Sequence, residues 1–149
     1  AEADVIDGSP KMVELARRRA GAADRVRFAV ADARSLAPPA AAYDLLVTHF
    51  FLDCFPAEQL AALVPRLAAA VAPGGRWLVG DFRLPPGRAA RTRAAVGLAV
   101  MYGGFRVATR LPASRLADPD PHLHAAGFRL EATHDQHAGF VSARLWQRA

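Results

Sequence analysis

Apolar positions along the first eighty residues switch between two periods. Ala3 to Asp7 (ADVID) is a short apolar run closed by an acid and followed by Gly8, which predicts a buried strand. Ser9 then occupies an N-cap position and Pro10 the first helical position, while Met12, Leu15, Ala16 and Ala20 recur at helical spacing. Gly21 should end that helix. Val26, Phe28 and Val30 alternate as a second strand running into Ala31-Asp32. After a Pro38-Pro39 loop, YDLLVTHF (43–50) is a continuous apolar run of the kind buried on both faces of a parallel sheet.

Leu60, Leu63, Val64, Leu67 and Val71 follow the i, i+3, i+4, i+7 pattern of a helix packed on a sheet. Pro65 should kink it by removing one backbone donor, and Pro73-Gly74-Gly75 should stop it. RWLVGDF (76–82) reads as a fourth strand. An Ala- and Arg-rich segment from about 88 to 109 reads as a helix weakened by Gly97 and the Gly103-Gly104 pair, with GFRVATR (104–110) bordering a ligand pocket or covering the sheet. A short helix over 121–126 leads through Gly127 into FRLEATH (128–134), and AGFVSARLWQR (138–148) returns as the second strand of a hairpin.

This order predicts an α/β chain: a doubly wound sheet, mostly parallel, with a terminal antiparallel hairpin strand, forming a single partial domain over 1–149. Such sheets bind ligands outside the carboxyl ends of their strands. Asp7, Asp32 and the His49 to Asp53 run stand at three of those ends, with Asp81 at a fourth.

Composition changes this picture little. With 149 residues, 52% of them hydrophobic, one sizeable core is possible. The single cysteine, Cys54, excludes an intrachain disulfide and reads as a buried thiol without a base partner. No apolar run of about 18 residues argues for a membrane span, and AEADVID has neither the basic start nor the apolar stretch of a signal peptide, so a cytoplasmic setting is expected. The net charge of +5 rests almost wholly on arginine against an Ala- and Pro-rich background, which reads as GC-rich coding bias, and no nucleic-acid partner is expected. The dense Arg17-Arg18-Arg19 run falls in the last turn of a predicted helix, where cations favour the dipole. His122, His124, His134 and His137 lack the companions of a metal site and read as surface residues.

VIDGSPKMVELARRR (5–19), VRFAVADARSL (26–36), YDLLVTHFFLDCF (43–55), LAAAVAPGGRWLVGDF (67–82) and AAGFRLEATH (125–134), in this order, resemble the class I S-adenosylmethionine-dependent methyltransferases. The resemblance implies a Rossmann-like methyltransferase sheet of order 3-2-1-4-5-7-6 and S-adenosyl-L-methionine as cofactor. It implies that Asp7 accepts the two ribose hydroxyls, as a carboxylate can. Gly8 would let the backbone pass close to the ligand, and Met12 would pack on the adenine. Asp32 and the backbone of Ala33 would take the adenine, and His49 and Phe50 would line the methionine end. Read without the family, an N-terminal helix charge or a capping aid is the alternative for Asp7, and Met12 is a core residue of the helix. The family's glycine-rich loop and first strand should stand upstream of Ala3, so the chain is expected to be an N-terminal truncation lacking part of the cofactor site, with two strand edges left unpaired.

Methyl transfer from a sulfonium to a small-molecule acceptor needs alignment above all. A hydroxyl acceptor would also be helped by a base, for which Asp53, His49 and Asp81 are candidates by position. Two other readings stay open: a nicotinamide-dependent Rossmann oxidoreductase, in which an acid ending the second strand also binds ribose, and a non-catalytic interaction module that pairs its open edges with another chain. The oligomeric state is left open.

Overall fold

The computed structural model describes residues 1–83 and 117–149. The helix expected over 88–109, Gly97, the Gly103-Gly104 pair and GFRVATR therefore lie outside the described residues. By its contacts the chain divides into two compact units, Ala1–Ala37 and Pro38–Ala149.

In the first unit, β1 (Ala3–Asp7) pairs in parallel with β2 (Val26–Val30), and α1 (Pro10–Ala20) connects them. The start of α1 is built from local chemistry. Ser9 is extended at the N-cap and its hydroxyl accepts the Met12 N–H, Pro10 opens the helix, and Gly21 follows its end at φ 61°, a conformation L side chains avoid. Arg17, Arg18 and Arg19 fill the last turn, where Arg18 pairs with Glu14 at 2.9 Å and Arg17 lies 5.7 Å from the Phe28 ring centroid. The expected burial is corrected here. Val13 is the buried residue of α1, whereas Met12 and Leu15 are 50% and 39% exposed, and Ile6 of β1 is also exposed. One helix on a pair of five-residue strands has little apolar area to cover, so most of the stripe faces outward.

The second unit is a four-stranded sheet of order β3-β4-β6-β5 with β3 (Tyr43–His49), β4 (Val71–Phe82), β5 (Phe128–Gln136) and β6 (Val141–Arg148). β3 and β4 are parallel, while β6 runs antiparallel to both β4 and β5. With β2 beside β1, these are the 3-2 and 4-5-7-6 runs of the order that the resemblance implies. A 3-10 turn, Leu52–Cys54, leads into α2 (Ala57–Ala70), and α3 (Asp120–Ala125) precedes β5. Leu60, Leu63, Val64 and Leu67 of α2, Leu123 of α3, and Val71, Trp77, Phe128 and Trp146 of the sheet form the core. Each such side chain contributes about 1.5–3 kcal/mol on burial.

Two boundaries differ from expectation. Helix α2 continues through Pro65 but ends at Ala70, so Val71 opens β4 and Pro73-Gly74-Gly75 lies within that strand. Pairing decides this: Tyr43 faces Val71 while Leu45 already faces Arg76, and the bulge between absorbs the extra residues. Gly74 has φ +72°, and a Cβ on Gly75 would lie 2.8 Å from the Ala72 carbonyl oxygen and 3.1 Å from that of Asp44. The C-terminal carbonyls of α2 are met from the far strand, where Arg148 Nη1 donates to the Ala68 oxygen at 2.9 Å and to the Val71 oxygen. In the hairpin, β5 runs on to Gln136, and His137–Gly139 forms a 3-10 turn before β6. The expectation that β3 is buried on both faces is corrected as well. Leu45 and Val47 are 52% and 54% exposed, whereas Thr48 is buried and accepts the Trp77 indole N–H at 3.0 Å. Among the described residues β3 is an edge strand. No helix among the described residues is long and apolar enough to cross a membrane.

Candidate functional site

The sequence-predicted residues fall into two groups, one in each unit. In the first, β1 delivers Asp7 to the turn before α1. Its Oδ1 accepts the Ser9 N–H at 2.7 Å, and its backbone oxygen accepts the Ala31 N–H at 3.2 Å, which ties the two strand ends together. Asp7 thus does orient the helix start, with one carboxylate oxygen; Oδ2 has no hydrogen-bond partner among the described residues. A Cβ on Gly8 would come no nearer than 3.8 Å to the Ala31 oxygen, so packing within the protein does not demand glycine there. Met12 is exposed one turn into α1 and is not the core residue that periodicity alone favoured.

Asp32 follows β2, and its carboxylate is gripped by Arg34. The guanidinium donates from Nε to both oxygens at 3.0 Å and from Nη2 to Oδ2 at 2.7 Å, and the Arg34 N–H reaches Oδ1 at 2.9 Å. The side chain of Arg34, then its N–H, holds the Asp32 carboxyl below the ordinary carboxylate value. Ala33 is half-buried beside it.

In the second unit, His49 ends β3 and Phe50 follows it. Phe50 adopts a left-handed φ of 48°, rare for a bulky residue, and donates its N–H to the Gly80 oxygen at 2.7 Å. Its ring packs 4.3 Å from that of His49 and 4.7 Å from that of Phe82. The His49 ring lies over Gly80, where a Cβ would approach its Cδ2 to 2.8 Å. Behind these rings stand two buried carboxyls, Asp53 in the 3-10 turn and Asp81 on β4, 3% and 4% exposed. Asp81 Oδ1 accepts the Phe51 N–H at 2.9 Å and so fastens the turn to the sheet.

Burial pushes the Asp81 carboxyl up to about 7, the Asp53 charge adds to the rise, and the N–H groups of Phe51, Leu52 and Asp53 oppose it. Asp53 is raised as well, first by burial, against the Cys54 thiol, nearby N–H groups and His49. Cys54 is half-buried, with Sγ 3.5 Å from the Phe50 oxygen and from Asp53 Oδ1. Burial, then the Asp53 charge, pushes its thiol up to about 12, so it is not a nucleophile near neutrality.

Four residues that sequence reasoning did not single out complete this neighbourhood. Arg83, at 3.0 and 2.9 Å, and Arg144 both donate to the Asp120 carboxylate at the start of α3, and these three line a small cavity with Asp53, Asp81 and Ser142. The signal was the alternation of Ser142 and Arg144 along β6, which sets both on one face; what they oppose depends on the register. Of the four histidines, His124 packs its ring edge-on to Trp146 at 4.9 Å, His122 is half-buried, and His134 and His137 are exposed.

Residues 1–75 match the family model described as a methyltransferase domain. The chain belongs to this methyltransferase family. The class I S-adenosylmethionine-dependent type that the motifs resemble is thereby borne out. A demethylmenaquinone methyltransferase from Thermus thermophilus is 34% identical over 148 residues, an alignment that takes in 86% of this chain and 64% of the relative's length. Among solved structures, an S-adenosylmethionine-dependent methyltransferase from Mesorhizobium loti superposes with a TM-score of 0.70 at 16% identity, covering 99% of this chain and 80% of its own. The magnesium protoporphyrin IX methyltransferase of Synechocystis, with S-adenosylhomocysteine bound, gives 0.67 at 20% identity, covering 100% and 65%. At such identities the likeness establishes the fold, a Rossmann-like methyltransferase α/β architecture. S-adenosylmethionine is the cofactor of this family.

Proposed function

We propose that the protein transfers a methyl group from S-adenosylmethionine to a small-molecule acceptor; the proposed cofactor contacts are Asp7, Gly8, Met12, Asp32 and Ala33 in the first unit, and His49 and Phe50 in the second. The observation that carries this is the Asp7 turn. One carboxylate oxygen is spent on orienting the turn, the other is left for a ribose hydroxyl, and an exposed methionine stands one helical turn away. Gly8 fits the same reading, because no protein atom needs the space beside it and a ligand can. Asp32 fits on one condition. Its oxygens are occupied by Arg34, so an adenine amino group would share or replace an exposed ion pair, which is a weak interaction.

The cofactor supplies a methyl group on a sulfonium, which leaves as a neutral thioether. The chain's own residues contribute position and proton acceptance. The Phe50 and His49 rings are held by the Gly80 contact and by Phe82, and so can position a ligand packed against them. For a hydroxyl acceptor, Asp81 is the best-suited base, since a carboxyl poised near 7 is about half ionised at neutral pH and can take a proton without holding it too loosely. Asp53 tunes Asp81 through its charge, and His49 is the exposed alternative.

Calorimetric titration of the full-length protein with S-adenosylhomocysteine and with NAD tests the reading. S-adenosylhomocysteine is expected to bind, with Asp7→Ala losing it. Preferential NAD binding would replace methyl transfer with nicotinamide chemistry, and a stable dimer that binds neither would replace it with scaffolding.

A further inference from the structure

β4 and β6 run antiparallel with Asp81 opposite Ser142 and Val79 opposite Arg144. Side chains alternate along a strand, so these four stand on one face of the sheet. That face lines a cavity of about 10 Å³. Among the described residues, three buried polar atoms of these cavity-lining side chains have no hydrogen-bond partner: Asp81 Oδ2, Ser142 Oγ and Arg144 Nε. Asp81 and Ser142 are 4% and 2% exposed. The rest of the two charged groups is anchored. Asp81 Oδ1 holds the Phe51 N–H, and Arg144 donates to Asp120 with its guanidinium 5.4 Å from the Trp146 ring centroid. The orphaned atoms are therefore the unspent side of fixed groups, and leaving buried polar atoms unpaired is unfavourable.

The donor set selects the occupant. Arg144 Nε–H can only donate, an ionised Asp81 can only accept, and the Ser142 hydroxyl can do either. A cation would be repelled by Arg144 and Arg83, an anion by Asp81 and Asp120, and an apolar group would leave all three atoms orphaned. An oxygen bearing at least one hydrogen satisfies them together, donating to Asp81 while accepting from Arg144, with Ser142 donating to it or accepting from it. A cavity of this size admits about one such oxygen.

We propose that Asp81, Ser142 and Arg144 form a binding site for a single hydroxyl oxygen, supplied by water or by the hydroxyl of an alcohol or phenol. The second source rests on the methyl-transfer reading; the first does not.

High-resolution crystal structures of the full-length protein test it, one grown in plain buffer, one soaked with phenol and one with anisole, the methyl ether that lacks the donor hydrogen. In buffer, one oxygen is expected within hydrogen-bond distance of all three atoms. With phenol, either that water persists, which assigns the site to solvent, or the phenol oxygen replaces it, which assigns it to a ligand hydroxyl; anisole is expected to leave the water in place. An empty cavity in buffer, a cavity filled by the chain's own side chains, or displacement by anisole as readily as by phenol overturns the proposal. Where phenol enters, Ser142→Val should weaken its binding about tenfold in calorimetry. S-adenosylhomocysteine titration reads the methyl-transfer proposal separately, so an occupied oxygen site in a protein that ignores that ligand sinks the one and leaves the other.

Discussion

Asp81→Asn should change how stability depends on pH, and the sign is fixed by the direction of the shift. The carboxyl has an ordinary value of 3.8 and is raised to about 7 in the folded protein by burial and by Asp53. Between these values the folded state keeps a proton that the unfolded state has lost, so stability is greatest below about pH 4 and falls as pH rises toward 7. The slope approaches about 1.4 kcal/mol per pH unit, and the full penalty above neutrality is about 4 kcal/mol. Among the described residues, the charged groups that line the cavity with the carboxyl are Asp53 in the turn, Arg83 after β4, Asp120 on α3 and Arg144 on β6. Asp53 is itself raised and steepens the same slope. Asparagine keeps an oxygen for the Phe51 N–H but cannot ionise, so the variant should be the more stable protein at pH 8 and lose its advantage near pH 4. Urea unfolding at pH 4, 5, 6, 7 and 8 measures this. Parallel stability curves for the two proteins would show that Asp81 is not held protonated by its surroundings, and the argument for it as a base near neutrality would go with it.

Asp7→Asn should fold normally, because the residue is exposed and asparagine still accepts the Ser9 N–H, yet lose roughly tenfold to a hundredfold in S-adenosylhomocysteine affinity by calorimetry. Gly75→Ala should destabilise by about 1–3 kcal/mol in urea, since its Cβ would meet the backbone oxygens of Ala72 and Asp44 and neither can swing away. Cys54 should resist iodoacetamide at pH 8 far longer than a free cysteine, as read by mass spectrometry, and fast labelling would contradict a thiol pushed up to about 12.

What the sequence revealed was decided over a few neighbouring residues. Ser9, Pro10 and Gly21 bound α1 because capping and a left-handed φ depend on the residue and its immediate neighbours. Asp7 ends β1 and Asp32 follows β2, as the local apolar pattern predicts, and these are the strand ends outside which a doubly wound sheet binds ligands. Val71 continues the helical phase of Leu67 equally well, and only its pairing with Tyr43, a distant residue, makes it a strand. Met12, Leu15, Leu45 and Val47 show the same limit, since periodicity identifies an apolar face without identifying what covers it.

Gly80 carries this reasoning into the candidate site. In the sequence it is one glycine inside RWLVGDF, a position where glycine weakens a strand by entropy and by having nothing to pack. The parallel register gives the reason, placing it beside His49, whose ring occupies the space a Cβ would need. Its carbonyl also receives the Phe50 N–H that helps hold Phe50 in its left-handed conformation. Gly80→Ala should therefore displace the exposed His49 ring rather than unfold the sheet, with a stability loss of only about 1 kcal/mol. If the ring positions cofactor or acceptor, S-adenosylhomocysteine affinity or turnover must fall by more than that loss explains. An alanine variant that binds and turns over like the parent would show that His49 covers Gly80 without serving the site.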